Sequence, residues 1–378
     1  MLNRDQLLEL RKKYLSPSLS LSYDNPLHIV RAEGQFLFDA KANRYLDAVN
    51  NIQHVGHCHP KVVDAACKQY GVLNTNTRYL DETVISYAKD LTKYLPNELK
   101  TCFFTNSGSE SNDLALRLAR TATGSKETIV LDGAYHGHVS SLIDISPYKH
   151  NSKGGSGPPN YVHTLPIPDS YRGKYRGEEA HSGYIDELKK IIFSIKKNGK
   201  KVSAFVVESI MGCGGQLILP KGFLKSAFDL VREEGGVCIA DEVQIGFGRV
   251  GSHFWGFETA NVQPDIVTMG KSMGNGHPLS VVVANKQITD KFNNGMEYFN
   301  SFGGNPVSCA VGKAVLSVIE EEKLQQNAHK VGKYLLKKLK NLQDEFPLIG
   351  QVRGMGLFIG VELIKEGSKL IPARKEAE

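Results

Sequence analysis

The chain has 378 residues, 41% of them hydrophobic, which is enough for a sizeable core in two or three structural units. Lys and Arg number 46 against 40 Asp and Glu, and the resulting net charge of +6 is too mild to indicate a nucleic-acid partner. The six cysteines include no CxxC pair, and no apolar run approaches the length of a membrane span. We therefore predict a reduced, cytoplasmic protein that binds no membrane, with an anionic small molecule as a suitable substrate.

The chain opens with a polar amphipathic helix, MLNRDQLLELRKKYL, which lacks the pattern of a signal peptide. A small antiparallel unit is predicted next, at residues 27–50. The following stretch alternates predicted strands (TCFFTN, ETIVLDG, VSAFVVES, VCIADE, QPDIVTMG and PLSVVVAN) with predicted helices (SESNDLALRLARTATG and KGFLKSAFDLVREEGG). Because these strands are apolar on both faces, the pattern predicts an α/β fold with a mostly parallel sheet covered by helices.

The last part of the chain is predicted to contain a long helical stretch to about residue 345 and a hairpin, LIGQVRGMGLFIGVEL. The final residues, SKLIPARKEAE, have the pattern of another helix start. We predict a large domain at 51–305 and a small domain built from residues 1–50 and 306–378. We expect the C-terminal part of this small domain to be incomplete.

The stretch FFTNSGSESNDLALRLAR predicts a strand followed within a few residues by a helix. Ser107, Gly108 and Ser109 then lie at the positive end of the helix dipole, where backbone N–H groups suit a phosphate. Ser107 and Glu110 also have capping-box spacing, which explains the same residues without a ligand. Both interpretations stay open on this pattern alone.

Three further features follow predicted strands directly. Asp241 ends one strand, and it either caps the next turn or pairs with a cationic ring nitrogen. Tyr135 and His136 follow another strand, where an aromatic ring either stacks on a planar ligand or covers the core. Lys271, in DIVTMGKSMGNGHP, is either a surface lysine or an amine screened from water that forms a Schiff base with an aldehyde. A phosphate turn, an aromatic ring, a carboxylate and a lysine are together the contacts that pyridoxal 5'-phosphate requires.

The stretch HVGHCHP at 54–60 holds three histidines and a cysteine in seven residues. Structural zinc usually takes paired sets of ligands, and no matching pair occurs elsewhere in the chain. We therefore predict a tight turn lined by polar rings and no metal.

The motifs FFTNSGSESNDLALRLAR, AYHGH, ADEVQIGFGR, TMGKSMGNGHP and SFGGNP, in this order, resemble those of the class III (omega) aminotransferases. The resemblance runs from about residue 27 to residue 365. It implies a fold-type I pyridoxal-phosphate enzyme, with a mostly parallel seven-stranded sheet between helices and a small α+β domain built from both termini. The residues expected to contact the cofactor are Ser107, Gly108, Ser109, Tyr135, His136, Glu208, Asp241, Gln244, Lys271 and Ser301.

The same resemblance implies individual roles. Lys271 would form the Schiff base, Asp241 would pair with the ring nitrogen, and Gln244 would lie near the phenolic oxygen of the ring. Tyr135 would stack on the ring, and Glu208 would sit on its substrate side.

The phosphate of the cofactor would be held by Gly108 and Ser109. Ser301 stands where the family usually has threonine, and its hydroxyl would reach the phosphate of the neighbouring subunit. The resemblance therefore implies a homodimer with shared active sites.

A narrower set of stretches resembles the ethanolamine-phosphate and phosphohydroxylysine phospho-lyases. These stretches are RKKYLSPS, NNIQHVGHCHP, LNTNTRYL, ISPYKH, PDSYRGKYR and GMEYFNSFGGNPVSCA. They imply elimination of phosphate and ammonia from a small phosphorylated amine such as ethanolamine phosphate. The alternatives are a transaminase that moves an amino group to a 2-oxo acid and a non-catalytic protein of the same fold.

A phosphorylated substrate requires a second anion site beyond that for the cofactor. Our candidate is Arg78, in NTNTRYL. Arg172, Lys174 and Arg176 are weaker candidates, because a solvated basic loop explains them equally well.

Overall fold

The computed structural model describes residues 2–365, 368 and 370–377. The strands are β1 (Ile29–Glu33), β2 (Phe36–Asp39), β3 (Arg44–Leu46), β4 (Leu99–Thr105), β5 (Glu127–Leu131), β6 (Val162–Leu165), β7 (Val202–Val207), β8 (Ile210–Met211), β9 (Leu217–Ile218), β10 (Val237–Asp241), β11 (Ile266–Met269), β12 (Ser280–Asn285), β13 (Ile349–Met355) and β14 (Phe358–Leu363). The helices are α1 (Arg4–Tyr14), α2 (Pro60–Tyr70), α3 (Glu82–Thr92), α4 (Gly108–Thr123), α5 (Ser140–Asp144), α6 (Pro147–His150), α7 (Glu179–Lys197), α8 (Phe223–Glu233), α9 (Lys286–Phe292), α10 (Pro306–Glu321), α11 (Leu324–Glu345) and α12 (Arg374–Ala377). Two short 3₁₀ turns lie at Phe257–Ala260 and Lys271–Gly274.

A seven-stranded sheet forms the centre of the molecule, with the strand order β4-β12-β11-β10-β7-β5-β6. Neighbouring strands from β11 to β6 are parallel, whereas β12 is antiparallel to both β11 and β4. The sequence-based prediction of an α/β fold with a mostly parallel seven-stranded sheet is therefore confirmed.

Helices cover both faces of this sheet, which explains why its central strands are apolar throughout. Phe205 and Val207 of β7 point into a core formed with α7 and α8. Ala204 and Val206 of the same strand point to the other face, into a core formed with α4. This alternation is the two-residue period of a strand, and it buries both sides of β7.

The remaining elements lie around the sheet. Strands β1, β2 and β3 form a separate antiparallel sheet, and β13 and β14 form the predicted hairpin. Helix α10 packs against α2 and α3. Helix α1 buries no residue. The predicted final helix is seen as α12, while Met1, Lys369 and Glu378 of the predicted end segments lie outside the described residues.

The division into domains at residues 50 and 305 stays a prediction. Among the residues that the structure describes, no helix combines the length and apolar character needed to cross a membrane.

Candidate functional site

A cavity of about 200 Å³ opens where β5, β7, β10 and β11 end and α4 begins. Parallel strands place their carboxyl ends at one edge of a sheet, so residues far apart in sequence meet there. The cavity is lined by Gly108, Ser109, Asn112, Tyr135, His136, Gly137, Glu208, Asp241, Val243, Gln244 and Lys271. Eight of these eleven were predicted as cofactor contacts; Asn112, Gly137 and Val243 were not.

The beginning of α4 combines a capped helix end with a close backbone approach. Ser107 is the N-cap, and its hydroxyl accepts a hydrogen bond from the Glu110 N–H at 3.2 Å. The Glu110 carboxylate accepts from the Asn106 N–H, not from that of Ser107, so the capping box is half formed. A Cβ on Gly108 would lie 2.7 Å from a methyl group of Val243, so glycine is required there. Gly108 and Ser109, whose N–H groups have no intrahelical partner, both line the cavity.

Asp241 is a buried carboxylate at the end of β10. Its Oδ2 accepts from the Asn112 amide at 2.7 Å and lies 2.8 Å from Nδ1 of His136, and its Oδ1 accepts from the Val243 N–H at 3.1 Å. The hydrogen bond from the Val243 N–H fits the interpretation of Asp241 as a cap of the next turn. The contacts with Asn112 and His136 fit the other interpretation, in which the carboxylate is held in place to pair with a cation. Nε2 of His136 is buried without a hydrogen-bond partner among the described residues, so this atom is available for one more hydrogen bond.

Two buried glutamates flank this carboxylate. Burial raises the pKa of Glu208 to about 7, and the negative charge of Asp241 adds to the rise. Its Oε2 accepts from the Gly212 N–H at 2.9 Å, whereas Oε1 has no partner among the described residues. Burial also raises the pKa of Glu242 to about 7, but both its oxygens accept hydrogen bonds, from Ser209 and from backbone N–H groups. Glu242 is therefore part of the packing, and Glu208 faces the cavity.

Lys271 follows β11 in a left-handed backbone conformation, with φ +38°. This conformation is unfavourable for a residue with a side chain, and such strain is concentrated at functional sites. The neighbouring Ser272 is buried and accepts a hydrogen bond from the guanidinium of Arg249 at 3.1 Å. The surrounding structure thus holds Lys271 in a turn that directs its side chain to the cavity lining.

Tyr135 and Gln244 both line the cavity. The ring of Tyr135 lies edge-to-face with that of Tyr148, with centroids 5.9 Å apart, and burial raises the pKa of the Tyr135 hydroxyl. A Cβ on Gly212 would lie 2.9 Å from both the Gln244 amide and Glu208 Oε2. The glycine at 212 therefore lets the chain pass close to both side chains.

Sequence reasoning missed Asn112, which organises the site. Its amide donates to Asp241 and to the His136 carbonyl, and its Oδ1 accepts from the Thr268 hydroxyl at 2.6 Å. Asn112 lies three residues after Ser109, on the same face of α4, but this spacing alone does not separate it from the other polar residues of the helix. His138, which lies 2.8 Å from the Ser109 hydroxyl, was also missed.

Arg78 and Ser301 lie outside the cavity lining of this chain. The Arg78 guanidinium is 4.0 Å from the centre of the Phe299 ring and 3.2 Å from a carboxylate oxygen of Glu297, in an exposed pair. Ser301 is exposed in the same 297–303 segment. The two residues therefore belong to one surface region.

The three weaker candidates for a substrate anion site contact groups outside the cavity lining. Arg172 pairs with Glu362 at 3.0 Å, Lys174 pairs with Glu187 at 2.9 Å, and Arg176 donates to the Gly173 carbonyl. These contacts engage each side chain away from the cavity lining. The interpretation as a structural basic loop fits them better than substrate binding.

The histidines of 54–60 each contact a different part of the chain. His54 lies 2.6 Å from the Phe247 carbonyl, His57 pairs with Asp47 and His59 with Glu322. Within the described ranges, no group of three or more suitable side chains is arranged to hold a metal ion.

The cavity residues suit a ligand of the kind that the motifs imply. The first N–H groups of α4 suit a phosphate. Asp241, with no Lys or Arg partner among the described residues, suits a protonated ring nitrogen. The amine of Lys271 lines the same cavity, and the roles of these residues remain predictions.

Comparisons with known proteins place the chain in a family. A family model described as "Aminotransferase class-III" matches residues 19–377. An "Alanine--glyoxylate aminotransferase 2-like" protein of Drosophila melanogaster is 49% identical, with 100% of this chain and 78% of the relative covered. The "Ethanolamine-phosphate phospho-lyase homolog 1" of Caenorhabditis elegans is 40% identical, with 99% of this chain and 83% of the relative covered.

Among solved structures, a phospholyase from Arthrobacter in complex with phosphoethanolamine is similar, with a TM-score of 0.91 and 40% sequence identity. This similarity covers 97% of the present chain and 86% of the Arthrobacter chain. Residues 19–377, which the family model matches, include every residue that lines the cavity. The chain is an enzyme that belongs to the class-III aminotransferase family.

Proposed function

We propose that this chain is a pyridoxal-phosphate-dependent phospho-lyase that acts on a small phosphorylated amine such as ethanolamine phosphate. The observation that carries the proposal is the meeting of Lys271, Asp241 and the N-terminus of α4 at one cavity. The choice of substrate is supported by the similarity to the phospholyase whose structure contains phosphoethanolamine.

When bound, pyridoxal phosphate supplies an aldehyde that binds amines and a ring that stabilises negative charge on the carbon next to nitrogen. In the proposed reaction, Gly108 and Ser109 would hold the phosphate of the cofactor through their N–H groups. Asp241, held in place by Asn112, would accept a hydrogen bond from the ring nitrogen. Tyr135 would cover one face of the ring.

Lys271 would have two roles: it would hold the cofactor covalently, and, once the substrate amine has replaced it there, its freed amine would remove a proton from the substrate carbon next to nitrogen. The electron pair of that C–H bond would form a double bond to the adjacent carbon, and phosphate would leave from that carbon with the electron pair of the broken C–O bond. Water finally releases ammonia and an aldehyde. Glu208, with a pKa near 7, can hold a proton on the substrate side of the site at neutral pH.

The first experiment compares the wild type with Lys271→Ala after addition of pyridoxal phosphate. We expect a visible absorption band for the wild type that Lys271→Ala lacks. Wild-type enzyme should then release phosphate from ethanolamine phosphate without any 2-oxo acid. A protein with the absorption band but no phosphate release would contradict the lyase and leave the cofactor site standing.

The second candidate function is transamination, favoured by the 49% identity to a relative named as an aminotransferase. The same cavity would serve it, because both reactions begin with removal of the same proton. The two candidates differ in their need for a 2-oxo acid as amino acceptor. Amino transfer to such an acid, without phosphate release, would favour the transaminase.

We also propose that the active enzyme is a homodimer in which Arg78 and Ser301 act at the site of the partner. Both lie outside the cavity of their own chain, next to an apolar region that we call the Leu80 surface (Tyr79, Leu80, Ile85, Phe299 and Phe302). All five of its side chains are exposed, and a groove of about 1120 Å³ runs beside Tyr79, Leu80 and Ile85. A second copy would cover this surface and bring the Arg78 guanidinium to a neighbouring cavity as a second anion site.

Hybrid dimers test this arrangement. Lys271→Ala subunits and Arg78→Ala/Ser301→Ala subunits, carrying different affinity tags, are mixed and the hybrids purified. If the residues act across the interface, each hybrid contains one intact site and regains phosphate release that both parents lack. If they act within one chain, the hybrid stays as inactive as its parents.

We further propose a cytoplasmic location. All six cysteines are free thiols, and Cys58, Cys67 and Cys213 are exposed, as suits a reducing compartment. Fractionation of cells that express the tagged protein would test this location.

A further inference from the structure

One cation beside the cavity has no role in the scheme above. Lys149 belongs to the stretch ISPYKH, and its side chain is exposed. Its amine lies 5.7 Å from the centre of the Tyr135 ring and 5.5 Å from that of Tyr148. Tyr135 lines the cavity, so the amine of Lys149 lies next to one of its wall residues.

Hydrogen bonds hold the backbone segment from which the Lys149 side chain extends. The Tyr148 N–H donates to the Ala134 carbonyl at 3.1 Å, and the His136 N–H donates to the buried Ser146 hydroxyl at 2.9 Å. The carbonyl of Lys149 accepts from the N–H and the hydroxyl of Ser152. These bonds fasten the 146–152 segment to the strand-end residues that form the cavity wall.

The amine of Lys149 is free to bind an anion. No carboxylate of the described residues lies within 4.0 Å of it, whereas Lys174 and Lys190 both pair with Glu187. A cation held over two aromatic rings keeps its hydrogen-bond donors available, because the rings attract its charge without accepting all three N–H groups.

The ring of Tyr135 connects Lys149 to the acidic residues of the cavity. It lies 5.7 Å from the Lys149 amine and lines the same cavity as Glu208 and Asp241. Acidic side chains disfavour a phosphorylated substrate, and a cation beside Tyr135 would offset this repulsion.

We propose that Lys149 binds the phosphate group of the substrate and so selects phosphorylated over unphosphorylated amines. The inference rests on the proposed lyase function and adds a recognition residue from the same subunit as the cavity. It assigns Lys149 to the substrate phosphate, which is distinct from the cofactor phosphate at the N-terminus of α4. Arg78 of a second copy can contribute to the same anion without replacing this contact.

The test measures phosphate release from ethanolamine phosphate by the enzyme loaded with pyridoxal phosphate. The variants are Lys149→Gln, Lys149→Arg and, as a matched control, Lys153→Gln, which removes an exposed lysine four residues away. For each variant, we would determine KM for ethanolamine phosphate and the inhibition constant of inorganic phosphate. The absorption band of the Lys271-bound cofactor and its titration with ethanolamine, which carries no phosphate, report on the site independently of turnover.

Lys149→Gln should raise KM and the inhibition constant of phosphate by roughly ten- to hundredfold, since it removes a charge-assisted hydrogen bond. The absorption band and the ethanolamine titration should stay as in the wild type. Lys149→Arg should stay within a few-fold of the wild type, because it keeps a charged donor, and Lys153→Gln should match the wild type.

Three results would overturn the inference. Unchanged constants in an active Lys149→Gln variant would remove the role of Lys149 and leave the lyase standing. An equal change in the ethanolamine titration would assign Lys149 to the packing of Tyr135. A wild type that releases no phosphate from ethanolamine phosphate would contradict the lyase and this inference together.

Discussion

At the residue scale, the site holds two carboxylates in different ways. Asp241 receives three hydrogen bonds, which stabilise its negative charge. Glu208 receives one, from the Gly212 N–H, and its second oxygen has no partner in the described part of the chain. Ionisation of Glu208 therefore costs more, because fewer donors compensate for its lost hydration.

This difference gives a prediction for the pH dependence of stability. The folded-state pKa of Glu208 is about 7, above the ordinary glutamate value of 4.5. A raised pKa means that the folded state binds more protons, so its contribution to stability is full below about pH 4.5 and is lost as pH rises through about 7. In the chain without cofactor, Glu208→Gln should remove this loss of stability. Between pH 5 and pH 8, the free energy of unfolding should fall by about 3 kcal/mol more in the wild type than in Glu208→Gln.

Urea unfolding of the wild type and Glu208→Gln at pH 5 and pH 8 measures this difference. Glu187→Gln is the control, because hydrogen bonds from Tyr175, Lys174 and Lys190 lower the pKa of Glu187 to about 2. Glu187 is ionised at both pH values, so its replacement should change stability by the same amount at each. Parallel pH profiles for the wild type and Glu208→Gln would show that Glu208 is already solvated.

A second prediction concerns two tyrosines that are both fully buried. The Tyr87 hydroxyl has no hydrogen-bond partner among the described residues, whereas the Tyr184 hydroxyl accepts from the Tyr175 N–H at 3.3 Å. Removing an unsatisfied buried hydroxyl relieves a desolvation cost, while removing a bonded one leaves its partner unpaired. Tyr87→Phe should therefore be neutral or stabilise by about 1 kcal/mol, and Tyr184→Phe should destabilise by about 1 kcal/mol.

Denaturant unfolding of both variants measures this contrast. A loss of stability in Tyr87→Phe as large as that in Tyr184→Phe would show that the Tyr87 hydroxyl is bonded in solution.

At the scale of the elements, α4 connects the site to the sheet. It begins at the Ser107 cap and ends at Gly124, which has the left-handed φ of +68° that favours glycine. One turn into the helix, Asn112 contacts Asp241 of β10 and Thr268 of β11. A single amide thus sets the distance between the phosphate-binding end of the helix and two strand ends.

Asn112→Ala should destabilise the protein by about 2 kcal/mol, because it removes one of the three hydrogen bonds to the buried Asp241 carboxylate and the acceptor of the Thr268 hydroxyl. It should also weaken the affinity for pyridoxal phosphate, which a fluorescence titration of the cofactor would measure. Asn327→Ala, at an exposed position of α11, is the control and should change neither quantity. Unchanged stability in Asn112→Ala would mean that water replaces the amide.

The elements near the site were the part of the fold most accessible from the sequence. Strands such as β7 and β10 were predicted because uninterrupted apolar runs between helical segments typically form buried strands in an α/β protein. The opposite direction of β12 was not predicted, since an apolar strand has the same pattern in either direction.

The site residues also differ in whether the sequence could predict them. Asp241 and Lys271 could be found from sequence because each follows a recognisable strand. Asn112 could not be distinguished from any other polar residue of an amphipathic helix, because its role depends on tertiary contacts with β10 and β11. Lys149 lies in an irregular segment, and no periodicity predicts that its side chain meets Tyr135.

At the scale of the whole molecule, the two edges of the central sheet differ. The edge at β4 adjoins the Leu80 surface, where five large apolar side chains are exposed in neighbouring segments. The edge at β6 adjoins α7, where Phe193 is exposed as an isolated large apolar side chain. Clustered apolar exposure indicates a protein contact, whereas a single exposed ring needs no partner.

The proposed homodimer therefore predicts different effects for the same chemical change at the two edges. Leu80→Asp places a charge in the centre of the proposed interface and should shift the protein from dimer to monomer, because an unpaired carboxylate is costly to bury. Since Arg78 and Ser301 would then be lost from the neighbouring cavity, phosphate release should fall at least tenfold. Phe193→Asp should leave both the dimer and the activity unchanged.

Sedimentation velocity at several protein concentrations measures the first effect, and phosphate release by the same samples measures the second. Far-ultraviolet circular dichroism of Leu80→Asp should match the wild type, because the Leu80 side chain is fully exposed and contributes no packing within its own chain. A Leu80→Asp protein that remains dimeric would place the interface elsewhere. A monomeric Leu80→Asp protein with wild-type activity would show that each cavity is complete within one chain, and Lys149 would then be the cation that carries recognition of the substrate phosphate.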